Sequence, residues 1–292
     1  MPVSLEVNNK NVQLTNLEKE LWPGEGITKY HLIRYYLEVS PYMLPHLQNR
    51  FLVFQRFPEG IGGPGFFQKN CPQGAPAWIK TVPFKHQEKM TNYIVPTGPE
   101  TLTWLGNQVC LEIHPWLSAE NTLENPDFAV FDLDPMEGVT FPQICRVAQT
   151  LRDLLVSKGL RCYPKTSGSR GIQVYLPVQP VYSYQHIRDF CAAIFKELFQ
   201  MLPSITTLER KISRRGKKIY LDYLQNARGK TLVAPYSPRP LPGAPVSTPL
   251  EWSEIAAADF SPASFHMKNI IPRLQQKGDL FAPVLKDRQY IP

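Results

Sequence analysis

Asp132 and Asp134 stand two residues apart in FAVFDLDP, and Asp222 lies in IYLDYLQN, flanked by Leu221 and Tyr223. In an extended strand side chains alternate, so Asp132 and Asp134 share one face while Ala129, Phe131 and Leu133 take the other. Two carboxylates held that way repel each other and raise a pKa unless a cation sits between them; a divalent metal is the simplest resolution. With Asp222 on a neighbouring strand, the three acids could hold one or two Mg²⁺ or Mn²⁺ ions, the arrangement that activates an attacking hydroxyl and neutralises a leaving pyrophosphate. A DxD at a strand end also reads as a solvated turn entry, and the third acid is what weighs against that.

Between the two acid-bearing strands runs KTSGSRGIQVYLP. Gly168 and Gly171 permit close backbone approach, Ser167 and Ser169 offer hydroxyls, and Lys165 and Arg170 add positive charge, which suits a nucleoside triphosphate. Without the acids the same segment would be a tight hairpin turn. Arg210, Lys211, Arg214, Arg215, Lys217 and Lys218 precede the Asp222 strand, and Arg228, Lys230 and Arg239 follow it. Flanking a metal strand, such a run predicts a phosphate-binding rim rather than a merely solvated face. Phe66 and Phe67, after Gly60, Gly62, Gly63 and Gly65 and before Lys69, offer a stacking surface for a base, against which stands ordinary core burial.

Composition narrows the class of protein that must position these groups. The 292 residues carry a net charge of +7, which favours a polyanionic partner, and one composition runs throughout, predicting a single compact unit or two tightly joined halves. No apolar run approaches the roughly 20 residues of a membrane span, and the first residues lack a signal-peptide profile, so a cytoplasmic protein without membrane contact is expected. Five scattered cysteines contain no Cys-x-x-Cys pair and fit neither a disulfide framework nor a zinc ribbon. Periodicity predicts a strand over 3–7, a helix from the N-cap Thr28, a loop-rich 51–78, a strand over 111–114, and then strand 128–133, helix 141–157, strand 161–165, turn 167–171, strand 172–178, helix 183–201 and strand 218–224. A proline-rich loop over 235–249 and short helical pieces ending near Lys277 complete the chain.

FDLDP, TSGSRGIQVYLP and YLDYLQNARGKTLVAPYSPR together resemble the polymerase domain of bacterial DNA ligase D, in the archaeo-eukaryotic primase superfamily. The likeness runs from LTNLEKELWP through GFFQKNCP and LEIHPW to the final segment. It implies an α+β primase-polymerase fold: an RRM-like antiparallel catalytic sheet (about 125–240) packed on an N-terminal α/β module (about 1–124), with a helical tail (about 241–292). It also implies a template-directed nucleotidyltransferase of non-homologous end joining, using Mn²⁺ or Mg²⁺, often preferring ribonucleotides over dNTPs, and acting with Ku and a ligase at double-strand breaks near the nucleoid.

By that resemblance Asp132, Asp134 and Asp222 are the catalytic and metal-binding acids. His114, Ser167, Arg170, Gln173, Lys230 and Arg239 lie near the incoming nucleotide. Lys19 and Lys29 match positions that recognise the 5′-phosphate of a broken end, Phe66 and Phe67 match the pair that stacks on template, and Lys69 and Arg215 join the DNA-binding set. One departure matters: the family usually has histidine where this chain has Gln173, and an amide carries neither positive charge nor a transferable proton. Weaker activity or a shifted nucleotide preference would follow. Two alternatives compete: a DNA-end-binding protein that lost turnover through Gln173, and a phosphatase using Asp132 as nucleophile, against which Met136 replaces the wanted Thr or Val.

Overall fold

The computed structural model describes residues 3–87 and 89–292. The first half contains the hairpin of β1 (Val3–Val7) and β2 (Lys10–Leu14), the short pair β3 (Glu20–Trp22) and β4 (Ile27–Thr28), and helix α1 (Lys29–Leu47). Strands β5 (Leu52–Arg56) and β6 (Phe66–Gln68), the hairpin β7 (Thr81–His86) and β8 (Lys89–Ile94), helix α2 (Pro99–Asn107) and strand β9 (Cys110–Pro115) follow. Then come β10 (Phe128–Pro135), α3 (Phe141–Ser157), β11 (Tyr163–Thr166), β12 (Ile172–Pro177), α4 (Tyr184–Met201), β13 (Thr206–Thr207) and β14 (Ile219–Asp222). The chain ends with the short helices α5 (Trp252–Ala257), α6 (Ile270–Lys277) and α7 (Pro283–Lys286).

The central sheet has the order β11-β12-β10-β14-β13, antiparallel except for the short β13–β14 pair. A strand–helix–strand–strand–helix–strand path with that order is the split βαβ arrangement of RRM-like sheets. Local chemistry fixes the two crossover helices. Thr140 and Gln143 form a capping box at the start of α3, and Ser183 accepts the His186 N–H at the start of α4. Their apolar stripes, Ile144, Val147, Leu151 and Leu155 on α3 and Ile187, Cys191, Ile194 and Leu198 on α4, pack against Ala129, Phe131, Leu133, Val174 and Leu221. One face of the sheet is thereby closed.

Its other face is divided along the strands. Phe128, Val130 and Tyr175 are buried by Leu117, Leu232, Phe281 and Val284, whereas Asp132, Asp134 and Asp222 stay partly open. That division explains why FAVF shows no alternation: both faces are covered until the strand reaches its acids.

A second sheet, β6-β5-β9, belongs to the N-terminal core with α1 and α2. After β14 the chain crosses back: Ala234, Tyr236, Val246, Met267 and Ile270 join that N-terminal core, while Leu250 and Ile255 join the core under α3. The C-terminal stretch therefore stitches the two sheets together.

Several boundaries differ from the sequence expectation. The segment 51–78 holds β5 and β6, which its glycines obscured because β6 is only three residues long and lies at a sheet edge. The strand around Asp222 stops there because Asp222 Oδ1 accepts the Leu224 N–H and turns the chain. The cysteines are all free; Cys110, Cys145, Cys162 and Cys191 are buried.

Candidate active site

Register places the acids. Asp132 is the direct cross-strand partner of Asp222 on β14 and, on its other side, of Gln173 on β12; Gln173 in turn faces Lys165 on β11. Directly paired residues project on the same side with Cβ atoms about 4.5–5.5 Å apart. A continuous row Lys165, Gln173, Asp132, Asp222 thus crosses the open half of the sheet, with Asp134 two residues along β10 on the same face. The row makes the acids unstable as anions. Burial, followed by the charge of Asp222, pushes the Asp132 carboxyl up to about 7, against the lowering effect of its hydrogen bond with Gln173. Asp222 is also raised, chiefly by burial, despite bonds from Leu224 N (2.9 Å) and Gln225 Nε2 (3.1 Å).

Such uncompensated carboxylate oxygens suit a hard divalent cation. Among the described residues no three His, Cys, Asp or Glu side chains enclose an ion as they stand. The reason lies in the partners: Asp134 is drawn to Arg215 Nη1 at 3.3 Å, and Asp222 to its own turn. Arg215, 9% exposed, also stacks over Tyr220 at 3.6 Å and bonds the carbonyls of Glu209 and Arg210. It stands among the acids, on Asp134. Asn226, absent from the sequence expectations, pins the turn after Asp222 by pairing its side-chain amide with Val130 N and O, as a strand residue would.

The glycine turn closes over this row. Ser167 Oγ accepts the N–H groups of Ser169 and Gly171, so its hydroxyl helps hold the turn. Gly168 has φ +70°, and a Cβ there would lie 2.7 Å from Ser247 N; a Cβ on Gly171 would lie 2.4 Å from Leu133 O. Arg170 is exposed at the tip. Beneath, Lys165 is fully buried and donates to Ser247 Oγ at 2.6 Å; burial drives its pKa well down. Gln173 is 4% exposed, with Oε1 unpartnered among the described residues.

The second sheet supplies the opposite wall. His114 on β9 bonds Glu112 at 2.8 Å, and Glu112 also accepts Arg239 Nε at 2.5 Å; Arg239 Nη1 donates to the Ser167 carbonyl. The Phe67 ring meets His114 edge-on at 5.6 Å. Phe66 and Phe67 are both exposed, 46% and 60%, because β6 is an edge strand that offers one ring to each side; Phe66 lies under Arg56 at 5.7 Å. Lys69 and Lys230 are exposed on the turns after β6 and β14.

Lys29 is 3% exposed, with Nζ on Thr15 Oγ1 at 3.2 Å. Burial, then the charges of Lys19 and Arg56, bring its pKa down to about 8. Lys19 reaches Glu59 at 2.7 Å. Glu112 and Arg56 were missed from sequence; the one available signal was Glu112 sharing the strand period of His114.

An RRM-like sheet bearing in-register carboxylates, facing a basic, aromatic second wall, defines a primase-polymerase, that is, a nucleotidyltransferase. Comparison agrees: a family described as "LigD, primase-polymerase domain" matches residues 28–281. The chain is 37% identical over 280 residues to the bifunctional non-homologous end joining protein LigD of Bacillus subtilis, covering 95% of this chain and 45% of that protein. It is 34% identical over 280 residues to the multifunctional LigD of Mycolicibacterium smegmatis, covering 95% of this chain and 36% of that one. The polymerase domain of Mycobacterium tuberculosis ligase D, solved in complex with DNA, superposes with a TM-score of 0.88 at 31% identity, covering 95% of this chain and 99% of that one. The chain therefore belongs to the LigD primase-polymerase domain family, and it spans less than half the length of these two curated relatives. That membership sets the phosphatase alternative aside.

Proposed function

We propose that this chain extends and gap-fills DNA ends during non-homologous end joining, adding nucleotides opposite a template, with ribonucleotides favoured over dNTPs. The observation that carries the reading is the in-register row in which Asp132 faces Asp222. The groove between the modules of about 1–124 and about 125–240 would receive the template and primer, with the tail of about 241–292 holding the two together. Asp132, Asp134 and Asp222 would hold Mg²⁺ or Mn²⁺, which when bound supplies charge neutralisation at the attacking and leaving oxygens of an in-line displacement.

The chain's own residues do the rest. Arg215 keeps Asp134 charge-balanced until a cation competes for it, and Gln173, cross-strand from Asp132, sets a neutral amide beside that carboxyl in place of the family histidine. His114 and Arg239 direct N–H donors at the triphosphate, aided by Ser167, Arg170 and Lys230. Lys19 and Lys29 take the 5′-phosphate of the break, with Lys69 adding charge, and Phe66 and Phe67 stack on template bases. Ku, a ligase and a cytoplasmic, nucleoid-associated setting belong to the same proposal; among the described residues no helix is long and apolar enough to cross a membrane.

The test is a gapped duplex with a 5′-phosphate, offered with NTPs or dNTPs and with Mg²⁺ or Mn²⁺. Extension that vanishes in Asp134→Ala while DNA binding persists is the expected result. Undiminished extension by that variant sinks the assignment, and DNA binding without any extension by the unaltered chain would leave an end-binding protein instead.

A further inference from the structure

We propose that Glu112 is the positioning residue of the nucleoside triphosphate pocket, orienting His114 and Arg239 from beneath. The inference rests on the reading of those two side chains as triphosphate ligands.

Glu112 is 3% exposed in the middle of β9, on the face it shares with His114. Its cross-strand neighbour on β5 is Gln55, whose own partner on β6 is Phe67, so the carboxylate shares a sheet face with both, and Arg239 links it to the glycine turn at Ser167. Both of its oxygens are engaged, each by a different side chain: Oε2 with His114 Nε2 at 2.8 Å and Oε1 with the Arg239 guanidinium through Nε at 2.5 Å. A carboxylate buried to this extent is costly unless paired. Here the hydrogen bond from His114 and the charge of Arg239 outweigh burial and hold its pKa below the usual range.

The geometry decides what the two side chains can do next. Arg239 has Nε fixed by Glu112 and Nη1 fixed by the Ser167 carbonyl, which leaves Nη2 without a partner among the described residues. His114 has Nε2 fixed, which leaves Nδ1. Two otherwise flexible side chains, one on β9 and one on the loop after β14, are thereby held with the imidazole Nδ1 and the guanidinium Nη2 unengaged among the described residues. An anion at Glu112 cannot itself bind a polyphosphate, since like charges repel at close range. Its effect on the nucleotide must pass through His114 and Arg239, in the way that outer partners orient the ligands of a metal.

Glu112→Gln tests this while preserving shape. The amide oxygen can accept from only one of the two side chains, and its NH₂ is turned toward the other. The KM for NTP should rise about tenfold or more, because an orientation shared by ground and transition states is lost, with kcat changing by less than about threefold. The imidazole ¹⁵N signals of His114 should shift as well. Glu112→Asp keeps the charge but not the reach and should fall between the two in KM, so a folding failure of the glutamine variant still leaves a readout; melting curves accompany each.

His114→Ala and Arg239→Ala are measured alongside. If they raise KM and neither Glu112 variant does, this inference is wrong and the pocket stands. If they leave KM untouched, the triphosphate reading itself fails and takes the role of Glu112 with it. A loss confined to melting temperature or kcat, with KM unchanged in both Glu112 variants, reduces Glu112 to a structural ion pair and overturns the proposal.

Discussion

The acid row on β10 and β14 and the lysine cluster at the start of α1 carry opposite charges, yet each is electrostatically strained toward the ligand it lacks. In the row, burial and neighbouring carboxylates push Asp132 up to about 7; in the cluster, burial and neighbouring cations pull Lys29 down to about 8. The pocket wall at Glu112 contrasts with both, since there a guanidinium and an imidazole already share one carboxylate. The difference teaches that a folded chain can mark the sign of a missing ligand by leaving like charges together, and can preset orientation where charges are already matched.

The strongest way to break the comparison is to neutralise the row. Asp132→Asn should lower primer extension by about a thousandfold or more, since the displacement loses charge neutralisation at both oxygens, while thermal stability holds or rises because a strained carboxylate is gone. A variant that keeps extension in a single-turnover assay would mean that the strain marks nothing. Next in size, Lys19→Ala combined with Lys29→Ala should cost about tenfold or more in the preference for 5′-phosphorylated over 5′-hydroxyl gaps, measured by competition binding; an unchanged ratio would place the phosphate elsewhere.

A smaller effect sharpens the sign. A phosphate dianion favours protonated Lys29, so affinity for the phosphorylated end should fall as pH rises through about 8, by several-fold between pH 7 and 9, and Lys29→Met should flatten that slope. Titration by fluorescence anisotropy decides it. The smallest effect concerns folding. Because the folded pKa of Lys29 lies below its unfolded value of 10.5, the unfolded chain binds the extra proton between about 8 and 10.5 and stability rises with pH across that window. The penalty is thus fully present at pH 7, and Lys29→Met should raise the melting temperature more at pH 7 than at pH 10. Equal shifts at both pH values would show that Lys29 bears no such strain.

Legibility followed the range of the interaction. The spans of α3 and α4, the N-cap Thr28 of α1 and the alternation that puts Asp132 and Asp134 on one face are local, and all were readable from spacing. Strands β5 and β6 were not, since a three-residue edge strand beside a run of glycines has no period to detect. The bond of Arg215 to Asp134 was not legible either, since the two lie 81 residues apart and only chain closure brings them together.

By itself the sequence determined which chemistry was possible: three carboxylates on strands, a glycine turn that tolerates close approach, and an excess of basic residues. Only the tertiary structure decided which charges meet. Lys29 is a helix-start lysine until the fold buries it beside Lys19 and Arg56, and Glu112 is one acid in an apolar strand until the C-terminal stretch crosses back and lays Arg239 on it. Strand and helix periods are set by neighbours along the chain, whereas ion-pair partners and desolvation are set by distances that exist only once the two sheets have closed on each other.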